Sequence, residues 1–151
     1  MDHLRTRKAI GFPLFIVMGF LLSVGPSNSG GRPPEEIALH EAEILIYMLP
    51  DSIKIRSEGM EIGWEIHDAE EFNQKDFYVF WVYNAKRRDA GSVTVGHFAV
   101  NKHTADVWEF GSDTLVKARE LDAIQKILRK GHNIDQQTIE KYRHRSPNLV
   151  P

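Results

Sequence analysis

The segment Phe77–Tyr83 constrains the fold of this chain more than any other, because all seven of its residues are apolar or aromatic (FYVFWVY). A strand with one solvated face alternates apolar and polar residues, whereas a strand covered on both faces shows no such alternation. The run is rich in the aromatic and β-branched residues that strands favour. We therefore expect a strand at the centre of a β-sheet.

The sequence on either side of this strand predicts an antiparallel meander. Residues 52–67 alternate apolar and polar positions, which indicates two strands joined in a hairpin about Ser57–Gly59. Two further β-rich runs, residues 92–100 (SVTVGHFAV) and 107–110 (VWEF), are separated by the short polar loop NKHTAD and predict a second hairpin.

Apolar residues recur at helical spacing before and after the strands. One helix is predicted over residues 35–49, a second over about 113–130, and a third, weaker one over 135–143. The sequence thus predicts the α+β class, with an N-terminal helix packed on a four- to five-stranded antiparallel meander and one or two C-terminal helices after it.

The first thirty residues have the layout of a secretory signal. Three basic residues precede an apolar run over residues 9–25, and small residues and helix breakers follow it. We expect cleavage near Gly25 or Ser29, so that residues 1–29 are signal and leader and 30–151 form a single domain. An inner-membrane anchor formed by residues 9–25 is the alternative, although a helix of that length spans only about 25 Å of a bilayer core about 30 Å thick.

Charge and cysteine content limit the partners of the exported part. Removal of residues 1–29 leaves 16 basic and 20 acidic residues, a formal charge of −4 that argues against nucleic acid. The chain has no cysteine, so it forms no disulfide and carries no lipid-modified cysteine. We expect a periplasmic or secreted protein whose partner is another envelope or secreted protein, and which meets a membrane only through an uncleaved N-terminal segment.

The loop of the second hairpin matches a known pattern. Val100, Asn101, Thr104 and Val107 fit "V-[DN]-x-x-T-G-x-V", with Ala105 at the glycine position. Over residues 35–110 the chain resembles the PepSY-like and cystatin-like modules of exported bacterial proteins. This resemblance implies a noncatalytic binding or inhibitory module near the cell envelope that acts through a sheet face or hairpin tip. Export, small size and acidic charge are also similar to those of small periplasmic immunity or enzyme-inhibitor proteins.

No set of residues predicts a catalytic or metal site. Glu36 and His40 share a helix face, but HEAEI is not the HExxH zinc motif. The acidic residues around His67 lack the pattern of a calcium loop. We therefore predict no catalytic residue, no metal and no cofactor. A small periplasmic hydrolase or metal-dependent enzyme that uses His67, His97 or His103 is the alternative, and it requires two of these histidines to converge.

Strand aromatics and a basic turn are the candidate binding residues. Alternation places Trp81 and Tyr83 on one face of the central strand, and that face is either covered by the C-terminal helix or exposed as an aromatic patch. The predicted binding surface consists of Trp81, Tyr83, Lys86, Arg87, His97, His103 and Trp108. A third hypothesis for function is a structural subunit of an envelope complex, held by an uncleaved anchor.

Overall fold

A computed structural model of the chain describes residues 33–67, 74–85, 94–143 and 146–147, together with the backbone of Thr6–Arg7. Apart from Thr6 and Arg7, the predicted signal and leader lie outside the described residues, as do Lys86 and Arg87. Within the described ranges, every helix falls short of the length and apolar character that a membrane span requires. Export, and the division of the chain at residue 29, therefore stay predictions.

The strands form one antiparallel sheet in which sequence order is spatial order. The central position predicted for Phe77–Tyr83 is confirmed, since the preceding strand pairs with one edge of this strand and the following strand with the other. The strands are β1 Thr6–Arg7, β2 Ile62–His67, β3 Phe77–Asn84, β4 Thr94–Asn101, β5 Val107–Glu109 and β6 Thr114–Leu115.

Four helices within the described ranges complete the α+β fold that the sequence predicts: α1 Leu39–Tyr47, α2 Pro50–Ser57, α3 Arg119–Gly131 and α4 Gln136–Tyr142. The first begins four residues later than expected, since residues 33–38 lie in no helix or strand. Within this stretch, the buried Ile37 donates its backbone N–H to the carbonyl of Lys102, in the loop between β4 and β5, at 2.9 Å. This contact with the loop takes the place of the expected first helical turn.

The first strand predicted between residues 52 and 57 is wrong, because this segment is α2. Pro50 occupies its first turn, where a missing N–H costs nothing. The Ser52 hydroxyl donates to the Ile46 carbonyl at 2.8 Å, and the Arg56 guanidinium lies 3.5 Å over the Tyr47 ring. These contacts with α1 stabilise a helix whose own sequence alternates like a strand. Gly59, with φ of 73°, ends the turn that follows.

The predicted start of the long C-terminal helix at residue 113 is also wrong. Leu115 pairs with Trp108, and the Val116 N–H donates to the Val107 carbonyl at 2.8 Å, so residues 114–115 form the edge strand β6. The helix begins only after Ala118. The last predicted helix is confirmed as α4, where the Asp135 side chain accepts the N-cap bond from the Thr138 N–H at 2.7 Å.

The main hydrophobic core lies between the helices and one face of the sheet. Leu45 and Ile46 of α1 and Leu121 of α3 pack there against Phe80 and Val82 of β3, all of them buried. A second, smaller cluster lies on the other face. It consists of the buried Phe77, Val79 and Ala99 with the half-buried Trp108 and Phe110.

Polar contacts anchor the β4–β5 loop to α3. Ala105 is fully buried with φ of 58°, the left-handed conformation that glycine adopts most easily, and its carbonyl accepts a bond from Gln125 Nε2 at 2.9 Å. Arg129 donates to the Thr104 carbonyl at 2.8 Å and pairs with Asp106 at 2.7 Å. The tip of the hairpin is therefore held against the helix layer.

We expect Arg129→Ala to lower the free energy of unfolding by about 2 kcal/mol, because it leaves a carboxylate and a carbonyl without their partner in a largely buried site. The neighbouring exposed substitution Lys130→Ala should change it by less than about 0.5 kcal/mol. Urea denaturation measures both. Equal effects would show that the ion pair does not anchor the loop.

Candidate functional site

Alternation along β3 and the register of its neighbours assemble a group of side chains on the sheet face that is turned away from the helices, which we call the outer face. The two neighbours of Trp81 along β3 point into the main core, so Trp81 and Tyr83 point to the outer face. Antiparallel pairing then places Glu65 of β2 and His97 of β4 directly on either side of Trp81.

Aromatic rings on the outer face contact one another across three strands. The Trp81 ring stacks on that of His97, with 5.9 Å between ring centroids and an interplanar angle of 25°, and meets Tyr83 edge-on at 6.1 Å. The His67 ring lies 6.4 Å from that of His97. We call these four residues, Trp81, Tyr83, His67 and His97, the outer-face cluster. Trp81 is at its centre.

Tyr83, the most buried member of this cluster, packs against the neighbouring strand β2. Its ring covers Gly63 of the neighbouring strand so closely that a Cβ at position 63 would lie 2.7 Å from Tyr83 Cε2. Glycine is thus required for the ring to lie flat on β2. Tyr83 is only 4% exposed, so it fixes the orientation of Trp81 and offers little surface of its own.

The accessible part of the cluster is formed by His97, which is exposed, and by the half-buried Trp81. Trp108 lies on the same face, half-buried over the smaller core cluster. The sequence offered two alternatives for this face, cover by the C-terminal helix or full exposure as an aromatic patch, and neither describes it. The helices α1 and α3 pack on the opposite face, and Ile127 is the only large hydrophobic side chain classed as exposed in the described part of the chain. The outer face is instead a partly covered aromatic surface.

Two effects hold the pKa of His97 below the ordinary histidine value of 6.5. Partial desolvation of the ring is the larger cause, and the nearby His67 is the second, because two positive imidazoles repel each other. The shift favours the neutral imidazole of His97, which can donate and accept a hydrogen bond without carrying charge.

His103, the third histidine considered, lies apart from the outer-face cluster. It occupies the β4–β5 loop, where its Nε2 is 3.0 Å from Asp76 Oδ1 and its ring stacks on Tyr142 with 4.1 Å between centroids. These contacts join the C-terminal helix α4 to the start of β3. The structure thus brings four of the predicted binding residues to one face, namely Trp81, Tyr83, His97 and Trp108, and gives His103 a different location.

Sequence reasoning missed a contact between a further histidine and a glutamate. His132, just after α3, lies 2.8 Å from Glu41 in the first turn of α1, and the same carboxylate accepts the Ala38 N–H at 2.7 Å. This contact joins two helices across the core. Nothing local in the sequence signals it, because the partners are 91 residues apart.

Two of the three histidines considered for an enzyme lie close together. The ring centroids of His67 and His97 are 6.4 Å apart, whereas His103 lies elsewhere. Among the described residues, no group of three or more histidine, aspartate or glutamate side chains could hold a metal ion. The outer-face cluster offers the rings of Trp81 and His97 to a ligand.

Comparison with known proteins identifies no family. No family model matches the chain, and no curated protein matches it. A chain in a solved structure described as "Structure of a type VI secretion system effector-immunity complex from Pseudomonas protegens" is similar, with a TM-score of 0.48 and 17% identity over 72% of this chain and 87% of that one. A similarity at this level carries no argument about the fold or function of this chain.

The pKa of His97 gives a direct test of the cluster. In a proton NMR titration, the His97 ring should titrate below pH 6.5, and His67→Gln should move its midpoint upward, because the repulsion from a second imidazolium is removed. His40→Gln, on the exposed side of α1, should leave the midpoint unchanged.

The lowered pKa of His97 also makes the free energy of unfolding depend on pH. The unfolded chain binds a proton at His97 more readily than the folded one. This contribution to stability is therefore complete above pH 6.5 and is lost as the pH falls through the folded pKa. A midpoint at or above 6.5 would contradict the described packing of the ring.

Proposed function

We propose that this chain is an exported bacterial envelope protein that binds another envelope or secreted protein without catalysis, through the outer face of its sheet around Trp81 and His97. The observation that carries the proposal is the position of these rings. They form a connected aromatic surface on the one sheet face that the helices do not cover.

The physical character of the surface favours protein binding. Tryptophan and tyrosine give large contact area for few rotatable bonds, and they are enriched among the residues that dominate binding energy. Trp81 is held by a stack on one side and an edge contact on the other, and its Nε1 donates to Thr94 Oγ1 at 3.3 Å. Side chains already fixed in this way lose little conformational entropy when a partner binds.

The location of the surface within the sheet also favours this role. Trp81 lies on the central strand, which pairs along most of its length with both neighbours. A rigid element of this kind keeps a binding surface in one geometry. The predicted export signal and the acidic charge of the mature part support a partner among envelope or secreted proteins. The basic turn with Lys86 and Arg87 follows directly after β3 and stays a predicted part of the same surface.

Site-directed photocrosslinking tests this proposal. Because the chain has no native cysteine, a maleimide label attaches only at the cysteine that is introduced. Full-length chain carrying Thr94→Cys, at the exposed position whose hydroxyl lies 3.3 Å from Trp81 Nε1, would be labelled with benzophenone maleimide and irradiated with envelope extract of the producing cells. This label leaves Trp81 in place. Ile127→Cys, on the exposed side of α3, is the matched control. We expect a discrete adduct from position 94 and none of the same mass from position 127.

The comparison between the two positions decides the outcome. The position-94 adduct should weaken about ten-fold or more when unlabelled wild-type chain competes, and less when unlabelled Trp81→Ala competes, because truncation of a central aromatic anchor costs about 2 kcal/mol or more. Adducts from position 127 alone would place the binding surface on the helices and refute the proposal.

A second candidate function is a small hydrolase, which the approach of His67 and His97 to 6.4 Å favours. Two neighbouring imidazoles can share the roles of general base and general acid. Turnover of a panel of p-nitrophenyl esters by the full chain would then fall about 100-fold in both His67→Gln and His97→Gln, and not in His40→Gln. Equal rates in all of these proteins would exclude this function for ester substrates.

A further inference from the structure

The accessible part of the outer-face cluster contains one titratable ring. His97 is exposed and stacks on the half-buried Trp81, with 5.9 Å between ring centroids. A partner that packs on Trp81 therefore also covers His97, because the two rings are neighbours on the same face. The indole of Trp81 does not titrate, whereas an imidazole changes its charge between about pH 5 and 8. His97 is thus the group through which pH acts on this surface.

The charged and titratable groups around His97 are identified strand by strand within the described part of the chain. On β2, Glu65 lies on the far side of Trp81, at two strand spacings or about 9.5 Å from the backbone of His97. The His67 ring, also on β2, reaches to 6.4 Å from the His97 ring. On β5, alternation directs Glu109 to the opposite face. Of these groups, His67 is the closest to His97.

The surroundings of His97 make its charged form costly, and a partner would increase this cost. Partial desolvation and the repulsion from His67 already lower the pKa of the ring. A protein that covers the ring removes more of its water and leaves the second imidazole in place. The imidazolium form therefore loses more on binding than the neutral form does.

The stack on Trp81 does not reverse this balance. An imidazolium over an indole ring gains a cation–π attraction, which favours the charged form. The two rings are already stacked in the protein without a partner, so this attraction is present before and after binding. It therefore makes no contribution to the difference between the free and the bound state.

We propose that binding of the protein partner to the outer face is coupled to the loss of one proton from His97, so that acid weakens the complex. This inference rests on the proposed function and adds the regulation of the same surface. The proton passes to solvent, and the neutral ring can then donate or accept a hydrogen bond in the interface. The partner surface over His97 is accordingly uncharged, because a carboxylate there would retain the proton.

The direction of the effect follows from the linkage between proton binding and partner binding. The affinity is full above pH 6.5 and falls as the pH drops through the folded pKa of His97. Release of one proton limits the fall to about ten-fold per pH unit.

The test compares adduct yields at two pH values in chains with and without His97. Full-length chain with benzophenone at position 94 would be irradiated with the envelope extract at about pH 7.5 and at about pH 5.0. We expect the adduct to fall about five-fold at the lower pH in the parent, and less than about two-fold in His97→Gln. His40→Gln, on the exposed side of α1, should keep the full fall. Groups of the partner that titrate act on all three chains equally, so the difference between them reports on His97.

Circular dichroism at both pH values establishes that each variant is folded. If His97→Gln forms no adduct at either pH, His67→Gln decides. The pH at which its adduct is half-maximal should rise, because the repulsion from the second imidazole is removed, and an unchanged pH would overturn the coupling. An equal fall in the parent and in His97→Gln, or a stronger adduct in acid, would overturn the coupling and leave the outer-face surface in place. Absence of the adduct from the parent at both pH values would overturn both proposals together.

Discussion

The pairing of β3 with its two neighbours is the interaction on which the rest of the structure depends. Because β3 is apolar on both faces, its position in the middle of the sheet creates the main core beneath the helices and the smaller cluster of Phe77 and Val79 on the outer face. The same register places Trp81 between Glu65 and His97. A slip of one residue would exchange the two faces, so that Trp81 would enter the core and Phe80 would leave it.

Sequence patterns predicted those elements whose hydrophobic period agrees with their environment. Seven apolar residues in succession identified β3, and alternation around a short polar loop identified the β4–β5 hairpin. The failures occurred where the local pattern and the tertiary contacts disagree. Residues 52–56 alternate like a strand, yet contacts with α1 make them a helix, since Ser52 and Arg56 bind carbonyls of that helix. Residues 114–115 lie in a helical pattern, yet a pairing with Trp108 stabilises them as an edge strand.

The candidate site was predictable to the same extent. Alternation sufficed to place Trp81 and Tyr83 on one face, but the meeting of His67 with His97 depends on the register of three strands. A register irregularity between Val82 and Tyr83 also changes which residues of β3 and β4 lie opposite each other, and no local signal in the sequence marks it. His103 differs again, since its neighbours Asp76 and Tyr142 lie far away in sequence. Contacts between distant segments are the part of a site that composition and period do not specify.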